Sequence, residues 1–407
     1  MPAGNDNKDL TRRIDIILLH PVFSYLIFAA VLWFLFTLTF KLGSLPMAGI
    51  RTSVDWVGHV LVKLLPGGFG RNLLVDGIMA GAGGVLIFLP NIVILFLGIS
   101  IMEETGYMAR VAWIMDRIMH RMGLHGRSFL PIIMGLGCNV PAMLAARSIK
   151  STRDRILTVL IAPLISCSAR HPIYVLFVGA FFPGHAVSMI FLMYMISFIA
   201  VFTLGALFRK TLFRGKGECE AVYELPPYRR PRLKKILMVM WLNTKHYLNR
   251  IGTVVIFFSA LLYILSHYPE SEHQKIENSY IGRIGALIEP LLKPAGFDLK
   301  LDISVITGFA AKEMVVGTLG VLHSVDQGHA AGQYALQDIL RNEYSPLTAF
   351  AFMLFSLLYT PCIASLVTLI REVRSWKWSI FGLVYPLVLA WVAAVTVRQM
   401  GLLMGLS

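Results

Sequence analysis

Charge is scarce in this chain: only 15% of its 407 residues are Asp, Glu, Lys or Arg, while 56% are hydrophobic. That composition does not suit a water-soluble domain. Cysteine is also scarce, with four residues at 138, 167, 219 and 362, three of them inside apolar segments and none paired at a zinc-like spacing. A disulfide framework and a zinc module are therefore excluded. The pattern GxxxxGKS/T does not occur, so the phosphate cradle of a P-loop is missing. No Ser-His-Asp or zinc-protease spacing stands out either, which leaves a catalytic reading without residues and points away from an enzyme.

What is present is a series of apolar runs long enough to cross a bilayer. "PVFSYLIFAAVLWFLFTLTF" (21 to 40) is almost wholly apolar, as a lipid-embedded helix is, and lacks the polar alternation of a barrel strand. The class is an all-α, polytopic helical membrane protein in a lipid bilayer. No small-residue cleavage site follows this run, so it is expected to be retained as a span. The formal charge of +14 does not signal nucleic acid, because 25 of the 37 Lys and Arg fall in segments 1–20, 103–128, 147–155, 209–250 and 371–378, between the apolar runs. The positive-inside rule places those segments, and with them the N-terminus, in the cytoplasm.

Along the chain, residues 8–20 read as an amphipathic lead-in, 21–40 as the first span, 41–75 as an outer loop and 76–101 as a second span ending at Glu103 and Glu104. "EETGYMARVAWIMDRIMHRMGLHGRSF" reads as a helix on the inner surface, with Arg110, Arg117 and Arg121 on its polar side. Residues 129–146 are apolar, broken by Gly135, Gly137 and Pro141 and flanked by basic segments on both sides, the pattern of a re-entrant hairpin. Spans at 156–182 and 186–208 follow. The basic stretch 209–235 then reads as a linker, leading into an amphipathic helix (236–250) and a span (251–267). Beyond these come an outer loop (269–302), a short apolar piece (303–322), a polar loop (323–346), a broken segment (349–370) and a last span (379–402). The division is 1–20, lead-in; 21–208, first membrane half; 209–235, linker; 236–407, second membrane half. Interrupted segments at matching places, Cys138 with Pro141 and Pro361 with Cys362, point to a transport site near the midplane.

Cys138 in "GCNVP", Cys167 in "SCSARHP" and Cys362 in "TPCIAS" all lie where the backbone is expected to be irregular. A thiolate is a soft ligand for a borderline divalent metal, and broken helices offer free carbonyls as further ligands. The plainer reading of each is a small packing residue. Lys312 and Glu313 in "GFAAKEMVVG" stand out because charge at membrane depth is costly. Glu103 or Glu104 are candidate partners for Lys312, and Glu313 for Arg170; the alternative puts Lys312 and Glu313 in water at an inner helix end. His171 lies beside Cys167.

"GLGCNVPAMLAARSIKSTRDRILTVLIAPLISCSARHPIYVLF" resembles the core signature of the ferrous-iron transport protein B (FeoB) family. "TGFAAKEMVVGTLG" and "LLYTPCIASLVTLIREVRSWKW" resemble that family too, in the same order, so the similarity covers nearly the whole chain. The resemblance implies two Gate-type (nucleoside-recognition) repeats in inverted orientation that carry Fe2+ inward across the bacterial cytoplasmic (inner) membrane. It implies that Cys138, Cys167 and Cys362 line the path; Cys219, in the linker, inherits nothing. Asn139, Ser166 and Ser168 adjoin those cysteines. Family members usually carry a G domain before the first span, where this chain has about twenty residues. A separate cytoplasmic G protein, a truncation, or a core working without nucleotide are the open readings.

The expected function is Fe2+ transport with Fe2+ as substrate and no permanently bound cofactor. A cytoplasmic G protein, a small accessory iron-transport protein and a second copy of the chain are candidate partners. The rivals are a Gate-type carrier of a nucleoside or other organic solute, and a non-transporting membrane partner. Neither rival requires cysteines at the breaks.

Overall fold

The computed structural model describes residues 11, 15–16, 18, 20, 23–66, 68–121, 124, 126–213, 228, 231–249, 253–268, 279–323, 330–359 and 362–405. Cys219, Pro361 and most of the lead-in and linker lie outside these residues, as do the side chains of Arg117 and Arg121. The described residues form helices and contain no strand.

The first helix, α1, runs Phe23–Leu64 without a break, 42 residues with Pro46 inside it. The expected loop at 41–75 is thus helical as far as Leu64. At about 1.5 Å per residue, α1 is roughly twice the length needed to cross a bilayer. Gly43 and Pro46 look like turn residues, but Gly43 serves packing: a Cβ there would lie 1.7 Å from Asn91 Oδ1 of the neighbouring helix. A π-helical turn (Leu73–Met79) leads into α2 (Ala80–Glu104). The chain then bends by 82° into α3 (Tyr107–Arg121), which is amphipathic; Arg110, expected on its polar side, is instead fully buried and pairs with Asp15 at 3.0 Å.

Next come two interrupted segments. The first is α4 (Gly126–Met134), a break, and α5 (Asn139–Ala145). The second is α6 (Thr152–Ile161), an irregular stretch, and α7 (His171–Phe181). The long α8 (Ala186–Thr211) closes the first series. The expected continuous span at 156–182 is therefore broken. Pro163 and Pro172 each remove a helical N–H donor, and Ile165 and Cys167 are extended.

After α9 (Leu233–Tyr247) and α10 (Thr253–His267), the expected outer loop contains α11 (Tyr280–Leu292), and α12 starts inside it at Leu299. Ser279 and Asp298 cap these two helices by accepting from the Gly282 and Leu301 N–H groups, at 3.3 and 3.0 Å. The piece expected at 303–322 is itself broken, into α12 (Leu299–Ala310) and α13 (Met314–Leu322). The polar stretch 323–346 holds α14 (Ala330–Glu343). Then come α15 (Pro346–Leu358), a break, α16 (Ile363–Val373) and the long α17 (Trp376–Leu403).

The same order thus occurs twice: a short broken pair, a longer broken pair, a long intact helix. Matched by order, the Cys138 break corresponds to the Lys312–Glu313 break, and the Cys167 break to the Cys362 break. This differs from the pairing of Cys138 with Cys362 that the prolines suggested.

Burial separates the two kinds of element. Thr152–Phe181 and Pro346–Val373, each broken, are 72% and 75% buried over their most apolar stretch, whereas α1, Pro183–Thr211 and α17 are 17–22% buried. Intact apolar helices therefore face lipid, and the broken ones form the core. Phe177 of α7 packs on Phe352 of α15 at 4.9 Å between ring centroids. Phe297 joins Phe352 and Phe355, and Phe355 stacks on Tyr359, extending this aromatic ladder toward the second break.

Candidate functional site

The break between α4 and α5 follows from its residues. Pro141 has no N–H to donate to the Gly137 carbonyl four residues earlier, so that carbonyl is free for another partner. It accepts from Ser168, whose backbone N–H lies at 3.3 Å and whose hydroxyl lies at 2.8 Å. Gly135 allows the close approach, since a Cβ there would meet the Ile132 carbonyl and Ile165 at 3.1 Å. The first two breaks are thus tied directly together.

Arg170, fully buried, donates to the carbonyls of Ile165 (2.8 Å) and Pro163 (3.1 Å), groups freed by the irregular backbone. It caps carbonyls; the suggested pairing with Glu313 is not formed. Ser166 donates its N–H to Ser197 Oγ (2.9 Å), and its hydroxyl lies 3.0 Å from Tyr174 Oη.

All three cysteines precede a helical turn. Cys138 is the N-cap of α5, Cys167 that of the turn Ser168–Arg170 before α7, and Cys362 that of α16. Cys167 is buried, Cys138 and Cys362 are half-buried, and none is in a disulfide. Cys138, Cys167 and Cys362 stand in one region of the fold, with Glu313 near Cys138. Cys138 also packs in a cluster with Ala364 of α16, and Cys362 Sγ lies 3.4 Å from Ser365 Oγ. Asn139 is 3% exposed; its Nδ2 donates to the Pro163 carbonyl at 3.5 Å, and its Oδ1 has no hydrogen-bond partner among the described residues.

The fourth break brings in charge. Lys312 is 2% exposed, which removes the reading that placed it in water, while Glu313 is half-buried. Lys312 Nζ stands over the Tyr359 ring, 2.8 Å from its centroid. Neither suggested glutamate partner is beside it: Glu104 pairs with Lys235 at 2.5 Å, and Glu103 is exposed. His171 is exposed.

Sequence reasoning missed Tyr359, Tyr174 and Ser197. Tyr359 alone had a local signal, since "YTPC" places it directly before a break. Among the described residues no three His, Cys, Asp or Glu side chains are grouped as a ready-made metal centre. The donors are strung along the breaks instead.

The fold and these breaks define a multi-pass helical membrane protein whose buried polar groups sit at interrupted helices. The Gate family model, described as "Nucleoside recognition", matches residues 85–181 and 248–376, more than half of the chain. The model described as "Ferrous iron transport protein B C terminus" matches residues 190–243. A relative from Porphyromonas gingivalis, named as a fusion of Fe(2+) transport protein A with Fe(2+) transporter FeoB, is 40% identical over 97% of this chain and 52% of its own length. Proteins named Fe(2+) transporter FeoB from Campylobacter jejuni and Methanocaldococcus jannaschii are 39% and 38% identical over 96% of this chain and 65% and 59% of their own lengths. The chain belongs to the Gate family, and corresponds to the membrane part of FeoB proteins. It spans about half to two thirds of the length of the curated relatives it matches. No solved structure matches it.

Proposed function

We propose that this chain is a transporter that passes Fe2+ into the cytoplasm, with Cys138, Asn139, Cys167 and Cys362 as successive ligands along the path. The observation that carries this reading is that three thiols each stand at a helix break, directly before a helical turn, with an unsatisfied buried amide oxygen next to one of them. Soft donors spread along a route suit a borderline cation that must be bound and then released. An organic solute would have no use for three thiols, and the relatives are named for Fe(2+).

The division at 1–20, 21–208, 209–235 and 236–407 follows the two series of broken helices. A bacterial inner membrane with a cytoplasmic N-terminus follows from the positive-inside count. The Porphyromonas relative's name joins transport protein A to the transporter, which favours a small accessory partner. A G protein acting on the basic inner surface, and self-association, complete the proposal.

The test is Fe2+ uptake into vesicles reconstituted with Ser and Ala variants. Cys138→Ser and Cys362→Ser keep size and polarity but lose the soft donor, so uptake falls while expression holds. Cys219→Ser is silent. Normal transport by Cys138→Ala would make the cysteine a packing residue and end the ligand reading.

A further inference from the structure

Ser197 bonds the backbone of a break from an intact helix. It lies in α8, on the buried stripe Met193, Ser197, Val201, Gly205 and Phe208 by which that otherwise lipid-facing helix meets the core. The serine is 1% exposed, and a hydroxyl at such depth is stable only where it is hydrogen-bonded.

Its partners are two backbone groups left over by the break between α6 and α7. In a continuous helix the Ser166 N–H would donate to the Ala162 carbonyl, and the Leu164 carbonyl would accept from the Ser168 N–H. Here the Ala162 carbonyl takes the Ile165 N–H at 3.1 Å, and the Ser168 N–H crosses to the Gly137 carbonyl at 3.3 Å. Ser197 Oγ serves both remaining groups: it accepts from the Ser166 N–H at 2.9 Å and donates to the Leu164 carbonyl at 3.0 Å. A hydroxyl carries one proton to donate and lone pairs to accept, so both bonds are made at once. They fix the peptide groups on both sides of Ile165, two residues before Cys167. Arg170 and Asn139, which donate to the Pro163 and Ile165 carbonyls of the same stretch, belong to the broken segments themselves. Ser197 ties that stretch to a helix without a break.

We propose that Ser197 is a positioning residue for Cys167: its hydroxyl clamps the backbone leading into the thiol to the frame of the protein, and so fixes where Sγ is presented to the passing cation. The role toward the cation rests on the transport reading above; the clamp on Cys167 does not.

The experiment has two arms, both on the full chain. Ser197→Ala removes the hydroxyl and, being smaller, makes no clash, while Ser197→Thr restores it. Thr203→Ala is the control, an exposed hydroxyl of α8 that bonds only its own helix, 2.7 Å from the Ile199 carbonyl. In detergent without iron, alkylation of Cys167 and Cys138 by N-ethylmaleimide is followed by peptide mass spectrometry. Ser197→Ala should speed labelling of Cys167 several-fold relative to Cys138, with Ser197→Thr and Thr203→Ala at the wild-type ratio. An unchanged ratio would overturn the clamp, because loosening of the whole fold speeds both cysteines alike. If the alanine variant does not fold, Ser197→Cys, of similar size but with a weaker hydrogen-bonding group, takes its place, and peptide mapping keeps the new thiol apart. In vesicles, Ser197→Ala should raise the Fe2+ concentration for half-maximal uptake about tenfold, the scale on which residues that orient a metal ligand act, with Ser197→Thr restoring it. A lower maximal rate with unchanged half-saturation would overturn the role toward the cation. Absence of Fe2+ uptake by the wild type would end the transport reading, and the labelling ratio would still decide the clamp.

Discussion

Arg147 forks onto Glu372, 225 residues further along the chain, with Nε 2.9 Å from Oε2 and Nη2 on Oε1. The pair joins the turn after α5 to the last turn of α16, so the Cys138-bearing and Cys362-bearing helices are fastened at their ends. The basic clusters at 147–155 and 371–378 carry like charge that would repel a cation. Part of the answer is local neutralisation: Glu372 meets Arg147, and the buried Asp154 meets Arg209 at 2.8 Å.

This fork is open to a charge-reversal test. Arg147→Ala and Glu372→Ala should each lower thermal stability slightly, by about 1 kcal/mol or less, because Arg147 is half exposed. Each should lower uptake more than it lowers stability, and Arg147→Glu combined with Glu372→Arg should recover both. No recovery in the double variant would mean that the two positions act separately.

Lys312 and Tyr359 make a second pair. A cation over a desolvated ring is worth about 2 kcal/mol. Tyr359→Phe keeps the ring and loses only the long 3.4 Å bond from Oη to the Val305 carbonyl, so it should unfold near the wild-type temperature. Tyr359→Leu and Lys312→Met should each lose stability, and the two changes together should cost less than their sum. Strict additivity in unfolding measurements would show that ring and ammonium do not interact.

The topology of residues 129–146 is checked by tagging. With 9 and 7 residues, α4 and α5 are each far too short to cross a bilayer. A reporter after residue 125 and another after residue 152 should therefore register the same compartment. Opposite compartments would make this segment an ordinary span and undo the re-entrant reading.

Several features of the protein were decided by the sequence alone. The membrane class follows from apolar runs in which charge is nearly absent, because a bilayer admits only elements that satisfy their own backbone. The breaks at Cys138 and Cys362 follow from Gly135, Gly137 and Pro141 and from "TPC", since proline removes a donor wherever it stands. Other breaks and helices were not legible. Gly43 and Pro46 carry turn chemistry, yet α1 runs through both, and Gly43 lies where Asn91 of the next helix approaches. The 303–322 piece shows no proline, yet it is interrupted at Ala311–Glu313, where Lys312 stands over the Tyr359 ring 47 positions away, a contact that local sequence does not encode. Polar stretches read as loops became α11 and α14 because polarity marks exposure to water, and helices there satisfy their backbone as well as loops do. Which breaks meet, which carbonyl takes Ser168 and which backbone groups fall to Ser197 were decided only when the two series of helices packed together, because those contacts join residues that the chain itself keeps far apart.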